Sequence, residues 1–112
     1  MAVTLTEIIP AKYAENSQTS QYTAAVGQTV VIDKFTVTNI SASPATLSVN
    51  IVASGGTAGN DNLIVDAKSI AVGETYTLPG LIGQVLNAGS FISTLAGTAT
   101  ALTIRASGRV VS

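Results

Sequence analysis

The sequence predicts an all-β protein: an antiparallel two-sheet β-sandwich, jelly-roll or immunoglobulin-like, with seven to eight strands. Runs rich in Val, Ile, Thr and Phe recur about every ten residues, and turn-forming residues separate them. Within the runs apolar and polar residues alternate, as in strands that bury one face. The cysteines and tryptophan that mark antibody-type domains are absent, which favours the jelly roll.

The stretch Thr29–Ala53 is predicted to form a β-hairpin, because two strand-like runs flank the turn-like segment Ser41–Ala45. In the first run, apolar residues hold even positions before Asp33 and odd positions after Lys34. One extra residue in a β-bulge produces this change of phase and turns both charged side chains outward. The pair then forms either a salt bridge across a subunit interface or a solvated bulge on an edge strand.

Residues 1–12 are predicted to form an N-terminal arm or an edge strand, and residues 13–112 a single sandwich domain. Val3–Ile9 alternates imperfectly, and Pro10 is expected to end the run because proline donates no ladder hydrogen bond. An arm would lie on a neighbouring subunit, whereas an edge strand would stay within the chain. The candidate partner contacts of the whole sequence are Leu5, Ile8, Ile9, Asp33, Lys34 and Tyr76.

The rest of the chain supplies further short strands and a repeated corner. The predicted strands are Gln21–Ala25, Leu63–Ile70, Thr75–Leu78, Leu81–Leu86, Ser90–Leu95 and Ala99–Ser107, the last two as a closing pair. Ala25–Ile32 (AVGQTVVI) is echoed by Ala71–Leu78 (AVGETYTL) and more loosely by Asn87–Ile92. These phrases predict equivalent turn-to-strand corners. Gly108 precedes either a bulged continuation of the last strand or a tail.

Charge is sparse, which bears on partners. Charged residues make up 10% of the chain and the net charge is −1, against roughly 25% charged residues in typical domains. A nearly uncharged surface favours association, so it is either covered by partner subunits or belongs to a Ser/Thr-coated exported protein. The five basic residues are scattered, which argues against nucleic acid. No apolar run suits a membrane span and no signal peptide is expected.

The residue types also argue against catalysis. The chain has no His and no Cys, so the commonest general base, nucleophilic thiolate and zinc ligands are missing. Nothing in the sequence holds Asp61 and Asp66 together as a carboxylate pair. Asn60–Asn62 offers oxygens for Ca²⁺, but turn formation explains these residues more simply. We predict no enzyme, no cofactor and no metal.

The order of phrases from Gln21 to Gly108, including TVTNIS and SGGTAGN, resembles small β-sandwich virion proteins of tailed bacteriophages. Such proteins decorate heads or join necks, tails and fibres. The resemblance implies a homo-oligomer, foremost a trimer, bound to the major capsid protein or to neck and tail proteins. It implies a virion location after assembly in the host cytoplasm.

Two classes of function follow as hypotheses. The first is a virion structural protein, foremost a capsid decoration or cement protein, with a neck, tail or fibre component as the alternative. The second is a sandwich module that binds carbohydrate or a host surface, for which Tyr22 or Tyr76 would supply the stacking ring.

Overall fold

The computed structural model describes residues 2–112, so Met1 of the predicted arm lies outside the described residues. The described residues contain nine strands: β1 (Val3–Tyr13), β2 (Thr19–Thr23), β3 (Thr29–Asn39), β4 (Ala45–Val52), β5 (Leu63–Ile70), β6 (Thr75–Thr77), β7 (Val85–Leu86), β8 (Phe91–Ala96) and β9 (Leu102–Val111). Single 3₁₀ turns occur at Asn60–Asn62 and Pro79–Leu81. Within residues 2–112 no helix has the length and apolar character needed to cross a membrane.

The strands form two antiparallel sheets. Sheet A has the order β1-β9-β3-β6, with β7 also on β3, and sheet B has the order β2-β8-β4-β5. The pairings are nested: the first strand pairs with the last, the second with β8, the third with β6 and β7, and β4 with β5. A long hairpin rolled so that successive pairs enter alternate sheets has this pattern, which is a jelly roll. The predicted two-sheet sandwich is confirmed, and β6 and β7 share one place in the roll.

The predicted hairpin over Thr29–Ala53 is wrong, because β3 lies in sheet A and β4 in sheet B. The turn between them is held by the buried side chain of Asn39. Its amide nitrogen donates to the carbonyls of Ser43 and Ile70, each at 2.9 Å, and its oxygen accepts from the backbone and hydroxyl of Ser41. These bonds hold the turn at which the chain crosses the sandwich, so that β3 and β4 lie in different sheets instead of pairing.

The three echoed phrases form three equivalent corners, as predicted. Each closes an i to i+3 backbone hydrogen bond with a glycine at positive φ in the third position, which is a type II turn. The turns are Ala25–Gln28, Ala71–Glu74 and Asn87–Ser90. Each carries the chain from one sheet to the other, at the junctions β2–β3, β5–β6 and β7–β8. Glycine is used here because φ near +80° costs it nothing.

The core lies between the sheets and is aliphatic around one aromatic ring. Phe35 is fully buried in a cluster whose members come from both sheets. The other largest fully buried side chains are Ile8, Ile9, Ile32, Leu47, Ile70, Leu78, Leu81, Leu86, Ile92, Leu102 and Ile104. Among residues 2–112, no buried side-chain nitrogen or oxygen lacks a hydrogen-bond partner. The buried polar side chains of the described residues are therefore hydrogen-bonded within the chain.

The two terminal strands run side by side. β1 continues through Pro10 to Tyr13, contrary to the prediction that proline ends the run. It can do so because β1 is an edge strand, with register shifts against β9 on both sides of Ile9. The described part of the predicted arm is thus paired within its own chain. Gly108 and the residues after it continue β9, and the predicted closing pair is split, since β8 belongs to sheet B.

Candidate assembly surface on sheet A

The outer face of sheet A carries an exposed group of aliphatic side chains near the chain termini. Directly paired residues of antiparallel strands point to the same face. One row of such pairs runs Leu5–Arg109–Val31–Val85, and the next runs Val3–Val111–Thr29. We call Val3, Leu5, Val31, Val85 and Val111 the aliphatic half of this face. Leu5 is 81% exposed, Val3 57% and Val85 50%.

The other half of the same face is coated with threonine. We call this set, Thr36, Thr38, Thr75, Thr77 and Thr103, the threonine half. The hydroxyls of Thr38 and Thr75 lie 2.9 Å apart and hydrogen-bond across the strands. Antiparallel sheets with one wet face normally show such polar residues outward. The aliphatic half departs from that rule, which makes it a candidate surface for a partner.

Charged residues are interspersed with both halves: Arg109 lies in the aliphatic row between Leu5 and Val31, and Arg105 pairs with Thr36. The face carries Glu7, Asp33, Lys34, Arg105 and Arg109, five of the chain's eleven charged residues. The guanidinium of Arg109 donates from Nε to both carboxylate oxygens of Asp33 at 3.1 Å, and its Nη2 lies 2.9 Å from Oδ1. Hydrogen bonding to Asp33, with its charge, raises the pKa of Arg109. Arg105 and Glu7 approach to 4.0 Å.

The predicted bulge at Asp33–Lys34 is confirmed. The register of β3 against β9 passes from Ile32 to Lys34 while β9 advances by one residue, so Asp33 is the extra residue. The expectation of an edge strand is wrong, because β3 lies between β9 and the β6–β7 pair. Asp33 pairs within the chain, with Arg109, whereas Lys34 has no ion-pair partner among residues 2–112.

The open edge of β1 borders the aliphatic half. Ala2 and Ser112 exchange both backbone hydrogen bonds, each at 2.9 Å. Bonded and non-bonded pairs alternate along a regular antiparallel ladder, and no register shift occurs before Glu7. The N–H and C=O groups of Val3, Leu5 and Glu7 therefore point away from β9, toward the free edge. A strand of another chain could bond to them.

The other predicted contacts lie elsewhere. Ile8 and Ile9 are 2% and 1% exposed and belong to the core, so they cannot contact a partner while β1 stays docked. Tyr76 pairs with the inward-facing Val37 and packs against the core from the open side of the sandwich. Of the apolar residues predicted as contacts, only Leu5 lies on the aliphatic half.

Sequence reasoning missed most of this surface. Val31, Val85, Arg109 and Val111 come together only because β9 lies between β1 and β3. That pairing joins the two ends of the chain and leaves no local mark in the sequence. The signal that could have been read is the run VTLTE, where Val3 and Leu5 alternate with threonine on a predicted edge strand.

A groove lies between β5 of sheet B and β6 of sheet A. This groove of about 280 Å³ is lined by Ile64, Asp66, Lys68, Tyr76 and Pro79, among others. The Lys68 ammonium lies 4.7 Å from the centre of the Tyr76 ring. A half-buried aromatic ring beside one acidic and one basic side chain is a combination of groups that can bind a sugar.

The Gly-rich loop after β4 folds back onto the outer face of sheet B. Asn50 donates to the side-chain oxygen of Asn62 at 2.7 Å and to the carbonyl of Gly59 at 3.0 Å. The amide of Asn62 in turn accepts from Gly59 and donates to Thr57. The oxygen that Asn62 would offer to Ca²⁺ is thus engaged in holding the loop.

Comparison of the chain with protein-family models, with curated proteins and with solved structures finds no match. The case for a function therefore depends on the surfaces described above.

Proposed function

We propose that this protein is a structural component of a virion, foremost a capsid decoration or cement protein and alternatively a neck, tail or fibre component. The observation that supports the proposal is the aliphatic half of sheet A, which lies beside an open strand edge. The proposal includes no catalytic role, and it takes its particle from the resemblance to phage proteins.

Contact between the aliphatic half and water is energetically unfavourable. Three aliphatic side chains at least half exposed on one small face leave apolar area in contact with solvent. Covering such area stabilises an assembly by about 25 cal/mol per Å². The low charge of the chain reduces the repulsion between neighbouring copies, and repetition on a lattice multiplies individually weak contacts. A rigid sandwich that carries this face suits a particle component.

The test is to measure the protein in particles purified from the host that encodes it. Density-gradient fractions are analysed by quantitative mass spectrometry for copies per particle. We expect many copies of this chain for each particle, and fewer when the encoded chain carries Leu5→Lys. The matched control, Thr38→Lys on the threonine half, is expected to retain the wild-type copy number. Recovery of the chain only in the soluble fraction would refute the proposal.

The groove beside Tyr76 favours a second candidate function, the binding of carbohydrate. The Asp66 carboxylate and the Lys68 ammonium could hydrogen-bond to one sugar unit beside the half-buried Tyr76 ring, over which the ammonium lies. A glycan array provides the test. This candidate requires a specific signal that Tyr76→Ala abolishes and that Tyr13→Ala, which alters an exposed ring on β1, leaves unchanged. An array without hits removes it.

A further inference from the structure

We propose that β1 pairs antiparallel with β1 of a second copy, about a twofold axis at Leu5, so that two A sheets join into one continuous sheet. The inference deepens the proposed function, on which it rests, by naming the partner and the contact. The joined sheet has the order β6-β3-β9-β1 followed by the same strands of the second copy in reverse. Its centre is the segment Val3–Glu7.

The backbone of this segment is ready for such pairing. Val3, Leu5 and Glu7 direct their N–H and C=O groups to the free edge, because Ala2 forms its bonded pair with Ser112 on the other side. An exposed edge strand with this open pattern is a template for another strand. Over Val3–Glu7 the ladder is regular, so the outward groups keep the spacing that a straight partner strand requires.

Features that prevent an edge strand from pairing with another strand are unevenly distributed along β1, which indicates where a partner strand would bind. Natural edges are blunted by bulges, proline and lysine. On β1 these devices are confined to the second half, where two register shifts, Pro10 and Lys12 occur. The first half, Val3–Glu7, lacks all three, and its one charged residue is Glu7. Half of the edge is therefore blocked, and the half beside the exposed aliphatic residues is open.

A second copy of the chain fits the open edge of β1, as the positions of Val3, Leu5 and Glu7 indicate. With the axis at Leu5, Val3 of each copy lies opposite Glu7 of the other, and all three outward-facing residues find partners. An axis at Glu7 would place two carboxylates face to face, which is unfavourable. An axis at Val3 would leave Glu7 unpaired. The axis at Leu5 is therefore the symmetric register that uses the whole open segment.

Side chains support the same register. The two Leu5 side chains become direct neighbours across the axis, which covers the most exposed residue of the aliphatic half. The aliphatic halves of the two copies then lie side by side on the same face of the joined sheet. The result is a joined face, twice the width of one, in which aliphatic side chains flank the Arg109–Asp33 ion pair of each copy and which can lie on a particle surface. A twofold contact gives a dimer, whereas the resemblance to phage proteins implies a trimer.

A charge-swap experiment tests the axis. The masses of wild type, Leu5→Lys, Leu5→Glu and an equimolar mixture of the two variants are measured by size-exclusion chromatography with light scattering. We expect wild type at twice the 11.3 kDa of the chain, and each variant alone to dissociate at least about tenfold more readily, since like charges meet at the axis. The mixture should recover the dimer. A monomeric wild type, a trimer, or a mixture that stays monomeric would overturn the inference.

A cysteine variant provides an independent check, since the chain contains no other thiol. Mild oxidation of Leu5→Cys should give a covalent dimer, because directly opposed residues bring the two sulfurs within bonding range. Thr36→Cys, on the threonine half, should remain uncrosslinked. Equal crosslinking of both variants would contradict the register. A dimer in solution that is absent from purified particles would refute only the virion function; a particle-bound chain that fails the charge swap would refute only this pairing.

Discussion

Gly108 is the residue on which the close packing of β1, β3 and β9 depends. A Cβ at this position would collide with the backbone oxygen of Val31 and with the end of the Ile8 side chain. Ile8 fills the core space that a side chain at position 108 would otherwise occupy. The bulge at Asp33 lies directly beside this contact, because Gly108 pairs with Ile32 just before the register shift.

Replacement of Gly108 by alanine is expected to lower the free energy of unfolding by about 3 kcal/mol, because the clash involves backbone that cannot rotate away. Urea denaturation followed by circular dichroism measures the change. Gly80→Ala is the matched control, since its Cβ would meet only Ile64 at 4.0 Å, and a change within about 0.5 kcal/mol is expected there. Equal effects of the two substitutions would contradict the packing described.

Glu15 links the start of sheet B to the end of β1 and makes stability depend on pH. Its carboxylate accepts from Gln21 and from Lys12, each at 2.9 Å. The hydrogen bond from Gln21, followed by the one from Lys12, lowers the pKa of Glu15 below its usual 4.5. A carboxyl with a lowered folded-state pKa stabilises the fold above its unfolded pKa, and this stabilisation is lost as pH falls through the folded value.

We therefore expect Glu15→Gln to be less stable than wild type at neutral pH by a few tenths of a kcal/mol, because the group is partly exposed. The difference should disappear as the pH is lowered below about 4.5. Thermal unfolding of both proteins across this range provides the measurement. A difference that does not change with pH would show that the carboxylate charge is not the cause.

At the scale of elements, β1 has two functions along its length. Its second half contributes Ile8 and Ile9 to the core, while its first half leaves Leu5 in solvent. The sequence hypothesis of an arm or an edge strand treated residues 1–12 as one unit. The structure divides them because the phase of burial changes at the register shift after Glu7.

Alanine substitutions distinguish the two halves. Ile8→Ala is expected to cost about 2–5 kcal/mol of unfolding free energy, because it removes a fully buried side chain. Leu5→Ala should change the same quantity by no more than about 0.5 kcal/mol in the monomer. Chemical denaturation at low protein concentration makes the comparison. If Leu5→Ala were as damaging as Ile8→Ala, the first half of β1 would be part of the core.

Features that depend on neighbouring residues could be predicted from the sequence, whereas features that depend on residues far apart in the chain could not. Leu63–Ile70 is found where its alternation placed it, and Thr75–Thr77 lies inside the predicted run, because alternation is visible within a few residues. The sheet to which a strand belongs is not visible in this way. The side chain of Asn39 stabilises the crossing to sheet B by donating a hydrogen bond to the carbonyl of Ile70, 31 positions away. No local pattern in the sequence predicts that bond.

At the scale of the whole molecule, the nested pairing brings the two ends of the chain together. Val3 lies beside Val111, and the aliphatic half exists only in the rolled fold. Sparse charge predicted either a surface covered by partner subunits or a Ser/Thr-coated exported protein, and the position of the aliphatic half depends on the pairing of β1 with β9. The candidate surface is thus a property of the topology, whereas the expectation that the chain associates came from its composition.

Hydrogen exchange of the β1 amides, followed by NMR, tests the central claim most directly. The amides of Thr4 and Thr6 point to β9 and should exchange slowly in every variant, while those of Val3, Leu5 and Glu7 face the free edge. We expect Leu5→Lys to stay monomeric, so its amides of Val3, Leu5 and Glu7 should exchange fast. In wild type at a concentration where it assembles, they should be as protected as Thr4 and Thr6. Fast exchange of all three in assembled wild type would contradict the pairing through β1.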